Sequence, residues 1–210
     1  MQSLVTKFLI ISVLTLFFQS CKLYEPLSDG KVQLNEQIVV NPYFANPDLD
    51  YVYKAQIEVY GHDLSGLLVV KKITENTHRV VMTTDFGNKL IDFTINQHNT
   101  KVNYVVEDLN KKIILKILAN DLKLLIQEKY IAKIERKNAE VKVLEVDEEA
   151  VKNYFYFKND TNQLIKIIQS SKRKAKFAIT FESKITNFAE QIFLEHYNLN
   201  INIKLKQIIK

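Results

Sequence analysis

The chain has 210 residues, a formal net charge of +5, one cysteine, four glycines and no tryptophan. This length suits one domain with a sizeable core, and the single cysteine excludes an intramolecular disulfide. So few glycines argue against a glycine-rich phosphate loop, and the evenly spread lysines lack the basic, aromatic-rich face that is typical of nucleic-acid binding.

Residues 1–20 have the layout of a secretory signal peptide. The short start carries one positive charge, Lys7, and an apolar run extends from Phe8 to Phe18. A run of about eleven residues is shorter than the roughly 20 that cross a bilayer. The sequence therefore predicts a signal peptide rather than a membrane span.

Cys21 lies where this apolar run ends. The stretch Phe18-Gln19-Ser20-Cys21 resembles a bacterial lipobox, in which the cysteine becomes the acylated first residue. There is no second cysteine to pair with it in an exported, oxidising compartment. The alternatives are a buried cysteine after a soluble signal peptide, or an N-terminal helix that stays attached. The resemblance implies a covalent lipid on Cys21, a membrane as partner, and no other cofactor.

The residues after Cys21 bear on location. Lys22 replaces the aspartate that would mark retention at the inner membrane, so resemblance to known sorting rules favours the outer membrane and a domain facing the periplasm. Residues 21–50 contain all three prolines and little periodicity, and they are predicted to be a tether. The alternative is that residues 34–40 pair with the domain, which is predicted to span residues 51–210.

From Tyr53 onward, alternating apolar and polar residues predict antiparallel strands. Gly61–Gly66 is predicted to be a turn, and the next strand begins at Leu67. Three further strands precede a helix, and their short connections indicate a meander; they are His78–Thr84, Lys89–Ile95 and Lys101–Val106.

One helix is predicted from Leu109 to about Glu128, with Asp108 as its N-cap. It carries one polar stripe, formed by Lys112, Lys116, Asn120, Lys123 and Gln127. Because nearly all its other residues are apolar, the helix must be covered on most of its surface. Seven further strands are predicted after it, at residues 130–136, 140–146, 151–157, 163–169, 174–181, 191–197 and 200–208.

The predicted fold is mainly β (α+β): a large curved antiparallel sheet or incomplete β-barrel of about eleven or twelve strands, with one helix in or over its hollow. This order of elements resembles the LolA/LolB-like lipoprotein-carrier superfamily. The stretches Leu64–Lys71, His78–Val81 and Phe86–Phe93 also resemble uncharacterised envelope lipoproteins of Bacteroidetes-type bacteria. The resemblance implies a helical lid and a hollow that binds acyl chains.

One departure from that superfamily concerns its outer-membrane acceptor. That protein is expected to have a protruding apolar loop and tryptophan-rich strands, whereas residues 61–66 here offer only Leu64. Five residues are nevertheless candidates for contact with an apolar ligand: Phe93, Leu118, Leu122, Phe155 and Phe157. For Phe155 and Phe157 the pattern favours core packing, and lining a lipid pocket is the alternative.

The polar residues of the sequence do not indicate a catalytic or metal-binding site. The histidines, His62, His78, His98 and His196, lack metal-ligand spacing and are predicted to lie at the surface or at strand ends, so no metal site is predicted. No catalytic motif is present, and the protein is predicted not to be an enzyme. An enzyme would require His62, Asp63, Asp85 or Asp92 to converge in a cleft. Lys172–Lys174 is predicted to be a solvated turn, with a phosphate-binding patch as the alternative.

Two functions remain open. The first is a membrane-anchored, non-enzymatic envelope lipoprotein that binds an acyl chain or another apolar ligand in a β half-barrel. The second is a structural or assembly lipoprotein with a packed core that binds another envelope protein. An apolar hollow of roughly 300 Å³ or more would favour the first, and native packing density would favour the second.

Overall fold

A computed structural model describes residues 24–208. Its thirteen strands form one antiparallel sheet that is not closed into a barrel, and one α-helix lies against that sheet, so the predicted fold class is confirmed. The strands are β1 (Lys31–Val40), β2 (Asp50–Val59), β3 (His62–Thr74), β4 (Thr77–Thr83), β5 (Lys89–Asn96), β6 (Thr100–Val105), β7 (Lys129–Lys137), β8 (Val141–Glu148), β9 (Val151–Lys158), β10 (Leu164–Ser171), β11 (Lys174–Glu182), β12 (Gln191–His196) and β13 (Ile201–Gln207).

The helix, α1 (Lys112–Ile126), follows a short 3-10 turn at Glu107–Leu109. It has 15 residues, and within the described range no helix is both long and apolar enough to cross a membrane. The predicted signal peptide and Cys21 lie outside the described residues.

The sheet consists of two meanders joined at one strand pair. Its order is β1-β7-β8-β9-β10-β11-β12-β13-β2-β3-β4-β5-β6. The meander β7–β13 and the meander β2–β6 meet where β13 pairs with β2, in a register that sets Ile203 opposite Ile57. Strands β1 and β6 form the two free edges.

Alternation along the strands decides which side chains enter the core. In β2, Tyr51, Tyr53, Ala55, Ile57 and Val59 are buried, while the residues between them are partly or fully exposed. Because successive side chains of a strand point to opposite faces, these five share the inner face. They belong to one core cluster that also contains the apolar face of α1. The concave side of the sheet is called the hollow below.

The predicted tether over residues 21–50 is wrong for its second half. Residues 31–40 form β1, which pairs with β7, as the alternative prediction for residues 34–40 proposed. The following segment, Asn41–Pro47, enters the core, where the Tyr43 and Phe44 side chains are at most 1% exposed. This segment is called the plug. Its prolines and lack of periodicity are typical of a linker, which is why it was predicted to be a tether. In the structure it places two large aromatic rings in the hollow.

The predicted turn at Gly61–Gly66 is also wrong, because β3 begins at His62. Tyr60 and Gly61 form the connection, with φ of 47° and 85°. Gly66 instead lies within β3, where a Cβ atom would be 1.7 Å from the carbonyl oxygen of Thr83. Glycine is needed at this position because two backbones approach closely there, not because the chain reverses direction.

Candidate functional site

The candidate site is the hollow under α1. The five residues predicted to contact a ligand come from three elements: Phe93 from β5, Leu118 and Leu122 from α1, and Phe155 and Phe157 from β9. All five are buried, and all belong to the one core cluster. The structure therefore places them in one core under the helix, and their contact with a ligand stays a prediction.

Helix α1 fills the hollow with one face. Its buried residues recur every three or four positions and include Ile114, Leu118, Asp121, Leu122 and Leu125. Such spacing places them on a single side of an α-helix. The predicted polar stripe lies on the other side, where Lys112, Lys116 and Asn120 are exposed and Lys123 and Gln127 are partly so.

The hollow is occupied by protein side chains in this conformation. A cavity of about 110 Å³ opens beside the C-terminal end of α1, where Ile95, Ile126, His78 and Glu128 border it. Pockets for drug-sized ligands usually enclose roughly 300–1,000 Å³, so this cavity is too small for a long acyl chain. Larger depressions, of about 710 and 510 Å³, are open and lined mostly by polar residues. None of the five predicted residues borders these three cavities.

One polar pair joins α1 to the sheet inside this apolar packing. His196 Nε2 lies 2.8 Å from Asp121 Oδ2, and their side chains are 9% and 6% exposed. The ring of His196 stacks on Phe177, with centroids 4.5 Å apart. Burial raises the pKa of Asp121, and the hydrogen bond with His196 partly offsets that rise. The two side chains are called the latch.

The latch was missed because the sequence prediction treated the non-stripe face of the helix as apolar. Asp121 is three residues after Leu118 and one before Leu122, a position on the buried side. A carboxylate there requires a buried partner, which is the signal that could have led to His196. His78 and His196 lie at strand ends, as predicted, because His78 is the second residue of β4 and His196 is the last residue of β12. Their side chains are nevertheless buried.

The C-terminal end of α1 is tightly held by the plug and by β7. The Asn41 side chain donates a hydrogen bond to the Leu125 carbonyl at 2.8 Å, and its backbone N–H donates to Glu128 at 2.8 Å. The Tyr130 hydroxyl donates to the Leu124 carbonyl at 3.1 Å. These bonds satisfy carbonyl groups that a helix end leaves without intrahelical partners.

A buried ion cluster supports the same end. Glu128 Oε1 lies 2.6 Å from Lys72 Nζ and 3.8 Å from His78 Nε2, and all three side chains are at most 16% exposed. His78 Nε2 also lies 3.0 Å from the carbonyl oxygen of Phe44 in the plug. Burial lowers the pKa of His78 below its usual value, so the ring is neutral near pH 7 and donates this bond.

The N-terminal end of α1 has no comparable support. Asp108 is not the N-cap, because it belongs to the 3-10 turn and the helix begins later. Lys111 occupies the N-cap position without a side-chain capping bond, and the first turn contains no acidic residue. Lysines at this end oppose the positive pole of the helix dipole. The helix therefore has side-chain hydrogen bonds at its C-terminal end and no side-chain cap at its start, where apolar packing by Leu109 and Ile114 joins it to the core.

Two of the acidic residues that an enzyme would need, Asp85 and Asp92, are held in separate ion pairs. Asp85 pairs with Lys54 at 2.5 Å, and Asp92 pairs with Arg79 at 2.9 Å and with Lys89 at 3.0 Å. Across residues 24–208, no group of three histidine, cysteine or acidic side chains is arranged to hold a metal ion. The non-enzyme prediction remains a prediction.

Comparisons with known proteins identify the fold alone. No protein family model matches the chain, and no curated protein matches it in sequence. A crystal structure of a LolA superfamily protein from Nitrosomonas europaea aligns with a TM-score of 0.50 at 8% identity, over 79% of this chain and 87% of that one. The chain has a LolA-like fold. A DUF1329 family protein from Desulfovibrio piger gives a TM-score of 0.40 at 10% identity, over 76% of this chain and 83% of that one.

Proposed function

We propose that this protein is a membrane-anchored, non-enzymatic envelope lipoprotein that binds an acyl chain or a similar apolar ligand under α1. The supporting observation is the uneven attachment of the helix over the hollow. Its C-terminal end is held by Asn41, Tyr130 and the Glu128 cluster, whereas its N-terminal end has no side-chain cap. The LolA-like fold, whose carriers are expected to have a helical lid, supports the same function.

In this proposal the first turns of α1 unwind from the sheet and admit the ligand. Local unfolding of this kind occurs where a helix end has few stabilising bonds. Opening would expose the apolar surface that Ile114 and Leu118 now cover, and a chain of methylene groups would replace these side chains. Each buried methylene contributes about 0.8 kcal/mol, so a long acyl chain can compensate for the displaced contacts.

The anchor in this proposal is a lipid on Cys21, following a signal peptide at residues 1–20. Two or three acyl chains hold a protein stably in a bilayer, whereas a single chain gives marginal binding. Because Lys22 follows the cysteine, we propose the outer membrane, with the domain on the periplasmic side. The membrane and the ligand are then the partners, and nucleic acid is not one.

The test uses protein without the signal peptide and with Cys21→Ser, titrated with a dansyl-labelled fatty acid and analysed by native mass spectrometry. Leu118→Ala removes a side chain from the hollow and should strengthen binding, because it leaves room among apolar residues. Ile168→Ala is the matched control. Ile168 is also buried, yet it lies outside the core cluster, opposite Tyr154 and Ala178 in the sheet register.

Saturable binding that Leu118→Ala strengthens and Ile168→Ala leaves unchanged would support the carrier. If neither the parent protein nor Leu118→Ala binds the fatty acid, the carrier proposal fails. Acylation is tested separately, by the mass of the full-length protein purified from membranes.

The second candidate is an assembly lipoprotein, and the filled hollow favours it. The edge strand β1 also presents a row of exposed apolar side chains, of which Leu34 is 89% and Ile38 is 67% exposed. An edge strand with free backbone groups and apolar side chains can pair with another protein. Absence of fatty-acid binding, together with capture of one envelope protein that Leu34→Lys abolishes, would favour this candidate.

A further inference from the structure

The first described residue is fixed to the outer surface of the sheet. The backbone N–H of Tyr24 donates a 2.7 Å hydrogen bond to the carbonyl oxygen of Arg173. Its ring packs against Tyr154 with centroids 5.2 Å apart, and its hydroxyl hydrogen-bonds the hydroxyl of Tyr156. Burial, together with the bond to Tyr156, raises the pKa of the Tyr24 hydroxyl. Backbone and side chain therefore hold Tyr24 at the connection between β10 and β11.

This attachment limits the distance between the domain and any lipid on Cys21. Cys21 precedes Tyr24 by three positions in the sequence, and an extended chain covers at most about 3.6 Å per residue. The acylated cysteine would thus lie within about 11 Å of Tyr24. A flexible tether of about thirty residues would allow roughly 30 Å, so the attachment removes most of the freedom that the sequence predicted.

The connection that holds Tyr24 is strongly basic. Lys172, Arg173 and Lys174 are all exposed, and they are called the basic turn. The neighbouring β8–β9 connection lies at the same end of these strands, since the Ser171 hydroxyl donates to the Ala150 carbonyl at 3.2 Å. An open groove of about 710 Å³ lies between Tyr24 and the two connections.

Acidic residues near the groove are partly neutralised. Lys152 Nζ lies 3.0 Å from Asp147 and also pairs with Glu145, and Arg136 contacts Glu145 as well. Glu148, Glu149 and Glu25 are the remaining acidic residues of the lining. The basic turn lies directly beside Tyr24, because the Arg173 carbonyl accepts the hydrogen bond from the Tyr24 N–H, and Glu25 is the acidic residue adjacent to Tyr24 in the chain.

We propose that this end of β8–β11 lies against the membrane, with the basic turn contacting the phosphate groups of anionic lipids. The inference rests on the proposed acylation of Cys21. A lipid anchor combined with basic residues is a two-part attachment, in which each Lys or Arg at an anionic surface strengthens binding roughly fivefold. Such contacts weaken beyond about a Debye length, near 8–10 Å, and the limit of about 11 Å on the Cys21–Tyr24 distance is of the same order.

The orientation is tested with two matched labels on acylated, full-length protein in phosphatidylcholine–phosphatidylglycerol vesicles. Ala150→Cys and Ala139→Cys are both exposed and lie at opposite ends of β8, about 25 Å apart. Each carries a fluorophore that a headgroup spin-labelled lipid quenches. We expect the label at position 150 to be quenched several-fold more strongly than the label at position 139.

Mass spectrometry of the same samples distinguishes a failure of the proposed anchor from a failure of the proposed orientation. If Cys21 carries no acyl mass, the proposed anchor is wrong. If Cys21 is acylated but both labels are quenched equally, or position 139 is quenched more, the anchor stands and the proposed orientation is overturned.

The basic turn is tested without the lipid, using Cys21→Ser protein that lacks the signal peptide. Lys172 and Arg173 have φ of 50° and 59°, so Asn is used at both, because it tolerates this conformation, and Lys174→Gln completes the variant. We expect vesicles that contain phosphatidylglycerol to bind this variant at least about tenfold more weakly than the parent. The control, Lys111→Gln with Lys112→Gln and Lys116→Gln, makes the same charge change on the helix.

Vesicles of pure phosphatidylcholine should bind the parent and both variants equally weakly. Free phosphate, added as a competitor at matched ionic strength, should not release the parent, because the contact is with a charged surface. An equal loss in both triple variants, or no loss in either, would overturn the role of the basic turn. Release by free phosphate alone would assign the turn to a soluble anion and overturn the membrane contact.

Discussion

The uncapped start of α1 offers the sharpest test of how a ligand would enter. Lys111 has φ of −103° and ψ of 126°, an extended conformation of the kind that N-cap residues adopt, but its side chain makes no capping bond. The change Lys111→Asp supplies an acceptor for the free N–H groups of the first turn. It also replaces a positive charge by a negative one at the positive end of the helix dipole.

The size of this effect follows from two contributions. A new N-cap typically adds about 1 kcal/mol, and a favourable charge at an exposed helix end adds about 0.5 kcal/mol. Together, about 1.5 kcal/mol would oppose unwinding of the first turn, which corresponds to roughly a tenfold smaller open population. Because apparent affinity scales with the population of the competent state, the fatty acid should bind roughly tenfold more weakly.

Stability and binding are therefore expected to change in opposite directions. Urea unfolding followed by circular dichroism should give a higher free energy of unfolding for Lys111→Asp, while the dansyl fatty-acid titration should give a higher Kd. Lys101→Asp, on the exposed edge strand β6, makes the same charge change away from the helix and serves as the control. If Lys111→Asp stabilises the protein and its Kd equals that of the parent, the ligand does not enter by unwinding α1.

Three further predictions concern stability. Burial lowers the pKa of His78, so just below about pH 6.5 the unfolded chain binds more protons than the folded one, and the free energy of unfolding should rise as the pH increases there. His78→Gln should flatten this slope in urea titrations, whereas the exposed His98→Gln should not. An unchanged slope in His78→Gln would contradict the assignment. Gly66→Ala should lower the free energy of unfolding by about 3 kcal/mol or more, because its Cβ would clash with the backbone of Thr83. Gly61→Ala has open space around the Cβ and a φ of 85°, so it should cost only about 1 kcal/mol. Similar urea midpoints for the two variants would contradict the close approach at Gly66. The hydrogen bond from Arg79 holds the pKa of Asp92 well below its usual range, so this carboxylate stabilises the fold above about pH 4 and loses that effect on acidification. Asp92→Asn should therefore lower the thermal midpoint more at pH 7 than at about pH 3. An equal decrease at both pH values would refute this.

Much of the sheet could be predicted because its strands alternate cleanly. In β13, Ile201, Ile203 and Leu205 are buried and the residues between them face outward, as the sequence pattern indicates. The helix was found for the same reason, through its apolar face. Its start was misplaced by three residues, at Leu109 instead of Lys112, because Asp108 is a good capping residue in a segment that forms a 3-10 turn instead.

The plug and β1 could not be located from local pattern. Tyr43 and Phe44 lie in irregular backbone, so their sequence shows no helical or strand periodicity. They are buried by groups distant in sequence, such as the Leu164 carbonyl, which accepts a hydrogen bond from the Tyr43 hydroxyl at 2.8 Å. Strand β1 leaves most of its side chains exposed and lacks alternation. The latch likewise depends on a contact between residues 121 and 196, which only the assembled sheet creates.

The order of strands has a consequence for how the chain acquires its structure. Strand β1 pairs with β7, about a hundred residues later, and β2, which pairs with its neighbour β3, also pairs with β13, about 150 residues later. Such non-local pairing slows folding and leaves apolar strands without partners for longer. The sheet can therefore be completed only after β13, its last strand, has been synthesised.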